Sequence, residues 1–86
     1  MTENTLPAYI SENQDGSLSI TMKDGRKIVM REPRVRDQRA VAKNKTDEER
    51  GLALIGNLAG LSPDEIDDLT LNDQKRLGEA FERFLD

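Results

Sequence analysis

The chain has 86 residues, 35% of them hydrophobic and 35% charged, with a formal net charge of −4; this bounds it to one small domain with a limited apolar core. It has no cysteine and no histidine, which excludes a disulfide framework, a thiolate metal site and the commonest general base. It also lacks both an apolar run of the roughly 18 residues that cross a bilayer and a leader segment at its N-terminus, so we expect it to stay in the cytoplasm, away from membranes.

The N-terminal segment, residues 1–16, is polar and shows no sustained apolar periodicity. We therefore expect it to be flexible, and we expect residues 17–86 to form a single small α+β domain. Tyr9 and Ile10 offer one alternative, because they could begin an edge strand that turns at Gly16.

Apolar and polar residues alternate over residues 17–30, which predicts a β-hairpin. A two-residue turn would place Ile20 opposite Val29 and mix the two faces of the hairpin. A three-residue loop, Lys23–Gly25, with its glycine in the left-handed conformation keeps the apolar residues on one face. This register pairs Ile20 with Ile28, Leu18 with Met30, and Met22 with Arg26.

Pro33 ends the second strand, because proline cannot donate to a sheet and restricts the residue before it. Residues 34–43 then predict a short basic helix. Val35, Arg39 and Ala42 share one side of it, so we expect the arginine stem to lie along apolar surface.

Residues 46–61 form the best-defined predicted helix. Thr46 and Glu49 have the spacing of a capping box, and Gly60 followed by Leu61 is typical of a left-handed helix end with an apolar contact beyond it. The apolar arc between these ends is wide, and its small residues predict a close approach by another element. Two interpretations stay open: a core helix packed between two others, or an arc of which part is a partner surface.

Two further helices follow. Ser62 and Glu65 form a second capping box with proline at the first helical position, and the short helix it begins should bury Ile66 and Leu69. Thr70 begins the last helix, whose apolar stripe should anchor the core. That stripe comprises Leu77, Phe81, Phe84 and Leu85. The predicted fold is therefore α+β, an N-terminal β-hairpin, with the option of a third edge strand, packed on three to four short α-helices.

No motif of an enzyme is present in the sequence. There is no G-x-S-x-G elbow, no P-loop and no G-x-G-x-x-G, and the acids of residues 64–68 fit a helix cap and a solvated face better than a calcium loop. The sequence predicts a protein without catalytic, cofactor or metal sites.

Charge is unevenly distributed along the chain: residues 1–25 carry −3, residues 26–45 carry +6 and residues 46–86 carry −7. The basic segment, 26–45, suits a small helical nucleic-acid-binding or regulatory protein, because its cations would displace phosphate counterions. The acidic total charge and the lack of an identifiable recognition helix speak against nucleic acid, which we do not favour as a partner. The second interpretation is an acidic protein partner, including another copy of this chain. The third interpretation is that it faces the acidic segment or water.

The order of two motifs resembles a known family. The second strand ends in Met30–Pro33, MREP, and the central helix ends in Gly60–Leu69, GLSPDEIDDL, followed by Leu71 and Asp73. The small tail assembly chaperones of Mu-like and related contractile-tailed phages and prophages carry similar steps, L-R-E-P and G-L-S-P-E-E with a later D-x-L. The resemblance covers about Leu18 to Leu85; it departs from the family at Met30 and in the long polar N-terminus.

This resemblance implies a non-enzymatic chaperone. Such proteins bind the tape measure protein, a long helical polypeptide, keep it soluble until tail tube protein polymerises around it, and are absent from the finished virion. Members are often paired with a longer form made by translational frameshifting. Self-association is also expected, since coating a long helix takes many copies.

From the physics of the sequence we expect the partner to lie in a groove between the central and the last helix. The candidate contacts are Leu54, Leu58 and Leu61. The candidate electrostatic rim consists of Arg34, Arg36 and Arg39.

Overall fold

The computed structural model describes residues 6–85, and in this part of the chain a three-stranded antiparallel sheet precedes four helices. This confirms the α+β prediction. Residues 1–5 of the segment expected to be flexible lie outside the described residues. The elements are β1 Ile10–Glu12, β2 Leu18–Thr21, β3 Lys27–Met30, α1 Val35–Ala40, α2 Asp47–Ala59, α3 Pro63–Asp67 and α4 Leu71–Phe84.

The hairpin of β2 and β3 has the predicted register and loop. Ile20 pairs with Ile28 and Leu18 with Met30. The loop is closed by the Met22 N–H, which donates to the Arg26 carbonyl at 2.7 Å. Gly25 has φ of 94°, the left-handed conformation that the parity argument required.

The third edge strand is confirmed as well. Ile10 lies opposite Ile20 in β1, and its side chain is buried in the same core. Gly16 has φ of 90° in the turn between β1 and β2. The sheet therefore includes residues that the sequence analysis assigned to the N-terminal segment.

One face of the sheet packs on α2 and α4, and the core lies between them. Its fully buried large side chains are Ile20, Met22, Met30 and Leu77. Leu77 and Ala80 carry the buried line of α4, whereas Phe81 and Phe84 are half-buried at the margin of the core. The expected apolar stripe is wrong at Leu85, which is 64% exposed because it follows the last residue of α4.

The first helix is shorter than expected, and the face predicted for it is wrong. Val35 is 67% exposed and Arg39 is also exposed, whereas Asp37 and Val41 point into the protein. The reason is the Asp37 carboxylate, which accepts two hydrogen bonds from the Arg31 guanidinium at 2.8 and 2.7 Å. This pair fixes which side of α1 faces inward.

The predicted helix starts at Thr46, Ser62 and Thr70 are confirmed as side-chain caps. Their hydroxyl groups accept the N–H of the third helical residue at 3.0, 3.1 and 3.1 Å respectively. At Ser62 the cap is reciprocal, because the Glu65 carboxylate accepts the Ser62 N–H at 2.8 Å. Such caps satisfy donors that a helix start leaves unpaired.

Polar contacts between distant residues hold α4 to the sheet. The buried Asp73 carboxylate accepts the Lys23 N–H of the hairpin loop at 2.9 Å. Arg76 donates to the Thr21 carbonyl at 2.7 Å and lies 4.4 Å from the centre of the Tyr9 ring. The Tyr9 hydroxyl in turn donates to Glu79, and this bond raises the Tyr9 pKa.

Candidate partner-binding clefts

A cleft of about 270 Å³ lies where α1, α2 and the end of α4 meet, and we name it the α1–α4 cleft. Its apolar lining comes from Val35, Leu54, Phe81 and Leu85, and Arg34 stands at its edge. Val35 and Leu85 are exposed, while Leu54 and Phe81 are half-buried between them. The four side chains thus form an apolar surface that residues 6–85 leave partly uncovered.

The α1–α4 cleft continues along α2. A neighbouring depression of about 360 Å³ shares Gln38 and Leu54 with it and extends to Ala42 and Gly51. Gly51 has no atom within 4 Å of the position that a Cβ would take. The small residues expected to admit another element therefore leave open surface at this point of α2.

Ion pairing fixes the helix that forms one wall of the cleft. The Asp37 carboxylate accepts the Arg34 N–H at 2.8 Å in addition to its two bonds from Arg31. The Arg31 hydrogen bonds, with the Arg34 N–H, lower the pKa of Asp37 to about 2. The guanidinium group of Arg34, which lines this cleft, forms no ion pair among residues 6–85, so the α1 wall is basic at this point.

A second cleft, of about 310 Å³, lies on the opposite side of α2 and is named the α2–α3 cleft. A Cβ on Gly56 would lie 3.2 Å from Ile66 Cγ1 and 3.2 Å from the Leu61 carbonyl oxygen, so α3 approaches α2 over this glycine. The apolar lining includes Leu52, Leu61 and Ile66, and Glu49 and Asp67 stand at the rim.

The structure divides the residues proposed from sequence between different places. Leu54 and Arg34 meet in the α1–α4 cleft. Leu61 lies in the α2–α3 cleft. Arg36 and Arg39 are exposed on α1, outside the lining of either cleft.

Leu58 must be removed from the candidate contacts. It is 3% exposed and belongs to the core, and its carbonyl accepts the Arg31 N–H at 3.1 Å. The wide apolar arc of α2 faces both the sheet and the surface, and Leu58 falls on the side that the sheet covers.

The sequence analysis did not predict Val35, Phe81 and Leu85 as cleft residues, because it assigned them to the packed faces of their helices. One signal was available: Val35 stands between two arginines, Arg34 and Arg36, as is typical of an exposed position. Leu85 and Phe81 gave no such signal, since their spacing fits the stripe of a buried face.

Both clefts combine an apolar lining with charged residues, acidic in the α2–α3 cleft and basic in the α1–α4 cleft. The α1–α4 cleft can accept the apolar stripe of a helix beside a basic edge. Among residues 6–85 no group of acidic side chains is arranged to hold a metal ion. Within the same range no helix is long and apolar enough to span a membrane.

Residues 14–86 match the family described as phage tail assembly chaperone proteins, E, or 41 or 14. This match covers most of the chain, so the protein belongs to this family of phage tail assembly chaperones, and its partners are tail proteins. No curated protein and no solved structure shows a significant match to it.

Proposed function

We propose that the protein binds the tape measure protein in the host cytoplasm and keeps it soluble until tail tube protein polymerises around it. In this role the chaperone catalyses no reaction, takes no cofactor and leaves before the virion is complete. The α1–α4 cleft is the proposed binding site, and the ligand is one amphipathic helix of the tape measure protein.

The observation that supports this proposal is the exposed apolar surface of the α1–α4 cleft. Val35 and Leu85 are 67% and 64% exposed, and they flank the half-buried Leu54 and Phe81. Fully burying a large aliphatic side chain contributes about 1.5–3 kcal/mol, so covering the exposed parts of Val35 and Leu85 would contribute about 1–2 kcal/mol each. A helix laid along the cleft would cover both at once.

The charge of the cleft favours one side of the ligand. Arg34 lines the α1 wall and forms no ion pair within the described chain. A ligand helix with acidic residues beside its apolar stripe would place them against this wall. Because the arginine is exposed, the contact would direct orientation and association rate more than affinity.

Co-purification with the tape measure protein tests the proposal. Leu85→Asp places a charge in the cleft at an exposed position, so the chaperone should still fold while its apparent affinity falls about tenfold or more. The matched control is Leu71→Asp, since Leu71 is 81% exposed at the start of α4 and does not line this cleft. Equal recovery of the tape measure protein by both variants and by the wild type would contradict the proposed site.

A further inference from the structure

Among the described residues no ion pair joins the basic segment of the chain to its acidic segment. Residues 26–45 carry +6 and residues 46–86 carry −7. Within residues 6–85 the ion pairs join residues close in sequence, and none of them links α1 to α3. These pairs are Arg26–Asp24, Arg31–Asp37 and Arg50–Asp47.

The basic surface of α1 also includes an exposed apolar residue, Val35. At about 100° per residue, Val35, Arg36 and Arg39 fall on the same half of α1. This half faces away from the protein, because Asp37 and Val41 occupy the inward side. The outer face of α1, defined by Val35, Arg36 and Arg39, thus presents an exposed valine beside two guanidinium groups.

The α2–α3 cleft has the complementary character. Leu52 and Ile66 line its apolar part, and Glu49 and Asp67 stand at its rim without an ion pair in the described structure. Its volume of about 310 Å³ exceeds the roughly 150 Å³ cavity that holds a benzene molecule. An aliphatic side chain such as that of valine therefore fits in it.

The outer face of α1 and the α2–α3 cleft cannot meet within one molecule, because they lie on different sides of α2. The α1–α4 cleft contains Leu54 and the α2–α3 cleft contains Gly56, and these residues lie about 200° apart around α2. Contact between the outer face of α1 and the α2–α3 cleft must therefore join two copies.

We propose that the α2–α3 cleft binds the outer face of α1 of a second copy. Val35 of one copy enters the cleft of the next, and Arg36 and Arg39 face Glu49 and Asp67. The contact joins different surfaces of the two copies, so it is heterologous, and it leaves one free cleft and one free α1 at the ends of the assembly. Repetition of such a contact produces open chains rather than a closed dimer.

This self-association has a consequence for the proposed binding of the tape measure protein, and the consequence rests on that proposal. Val35 also lines the α1–α4 cleft. A copy whose cleft holds a tape measure helix cannot at the same time insert Val35 into a neighbour. Self-association would then cover part of the exposed apolar surface of the free chaperone.

Sedimentation equilibrium of the purified chain tests the contact between copies. The area in contact is small, so the interface is weak, and loading concentrations should run from about 10 µM to about 1 mM. At low salt the average mass should rise above the 9.7 kDa of one chain as concentration rises. It should fall back toward that value at about 1 M salt, where the Debye length is only about 3 Å.

Charge reversal identifies the two surfaces. Asp67→Lys and Arg36→Glu should each weaken self-association about tenfold or more, and an equimolar mixture of the two variants should restore it to within about threefold of the wild type. In the mixture every junction again joins opposite charges. The controls, Asp68→Lys and Lys27→Glu, make the same charge changes at exposed residues outside the cleft and α1, so their effect should be under threefold.

Three results would overturn the proposal. The wild-type chain could stay monomeric at about 1 mM and low salt, or the mixture could associate no more strongly than either variant alone. The control variants could also weaken self-association as much as the test variants do. All four substitutions are at exposed residues, and a wild-type far-ultraviolet spectrum verifies that each variant is folded. Leu85→Asp should retain self-association while it loses the tape measure protein. Failure of one proposal is therefore distinguishable from failure of the other.

Discussion

Gly56→Ala tests the close approach of α3 to α2. At Gly56 an added Cβ would lie 3.2 Å from both Ile66 Cγ1 and the Leu61 carbonyl oxygen, and the latter belongs to backbone that cannot rotate away. At Gly51, in the same helix, nothing lies within 4 Å of the added Cβ. The two glycines therefore form a matched pair in which only the surroundings differ.

We expect the two substitutions to have different effects on the free energy of unfolding. Alanine is favoured over glycine inside a helix by about 1 kcal/mol, so Gly51→Ala should raise the free energy of unfolding by about 0.5–1 kcal/mol. Gly56→Ala gains the same helical preference, but the overpacking it causes costs about 1–3 kcal/mol. Its net effect should lie between no change and a loss of about 2 kcal/mol.

Urea unfolding followed by circular dichroism measures both variants. In a domain of this size, 1 kcal/mol corresponds to about 4–8 °C in melting temperature, so a thermal scan gives a second reading. The decisive quantity is the difference between the variants, expected to be about 1–3 kcal/mol. If Gly56→Ala stabilises the protein as much as Gly51→Ala does, α3 does not pack over Gly56 and the α2–α3 cleft is described wrongly.

Three further predictions concern the core, the stability at acidic pH and the basic segment. Leu77→Ala should cost about 2–5 kcal/mol, whereas Leu85→Ala should stay within about 0.5 kcal/mol in the same urea assay; equal effects would mean that α4 is rotated. Because Arg31 lowers the pKa of Asp37 from 3.8 to about 2, the ionised carboxylate stabilises the fold above pH 3.8 and this contribution is lost as the pH falls toward 2. The advantage of the wild type over Asp37→Asn should therefore shrink between about pH 4 and about pH 2, and a constant difference would contradict the pairing. Finally, the chain should not bind duplex DNA even at low salt, and binding that weakens steeply between about 50 and 200 mM salt would favour the nucleic-acid function of residues 26–45.

Local chemistry accounts for the parts of the fold that were predictable from sequence. Side-chain parity sets the register of β2 and β3, because a shift of one residue would expose Ile20 and Ile28. Cap spacing places the starts of α2, α3 and α4, since a hydroxyl group three residues before a helical N–H can accept it. These signals involve residues close together in the sequence, the most distant pair being Leu18 and Met30.

Some contacts were not predictable because they join residues distant in sequence. Others decide which side of a helix faces the protein. Asp73 has the spacing of a cap partner, yet its carboxylate binds the Lys23 N–H, 50 positions away. The sequence analysis assigned no contact to Asp37, but its bonds to Arg31 turn α1 so that Val35 is exposed. Such pairings depend on tertiary placement, which periodicity does not encode.

The candidate site was predictable only in part for the same reason. The wide apolar arc of α2 contains Leu54 and Leu58, and sequence alone cannot decide which of them the sheet covers. The structure buries Leu58 and leaves Leu54 in the α1–α4 cleft. The exposed Leu85 completes that cleft because α1 and α4 both pack on α2, a relation between elements that no local pattern specifies.

Nuclear magnetic resonance of the isotope-labelled chain during titration with helical fragments of the tape measure protein tests the proposed function most directly. We expect saturable binding in which the largest amide and methyl shifts occur at Val35, Leu54 and Leu85, with smaller shifts at Leu71. Absence of binding by every fragment, or shifts concentrated on the outer face of the sheet at Ser19 and Val29, would contradict it.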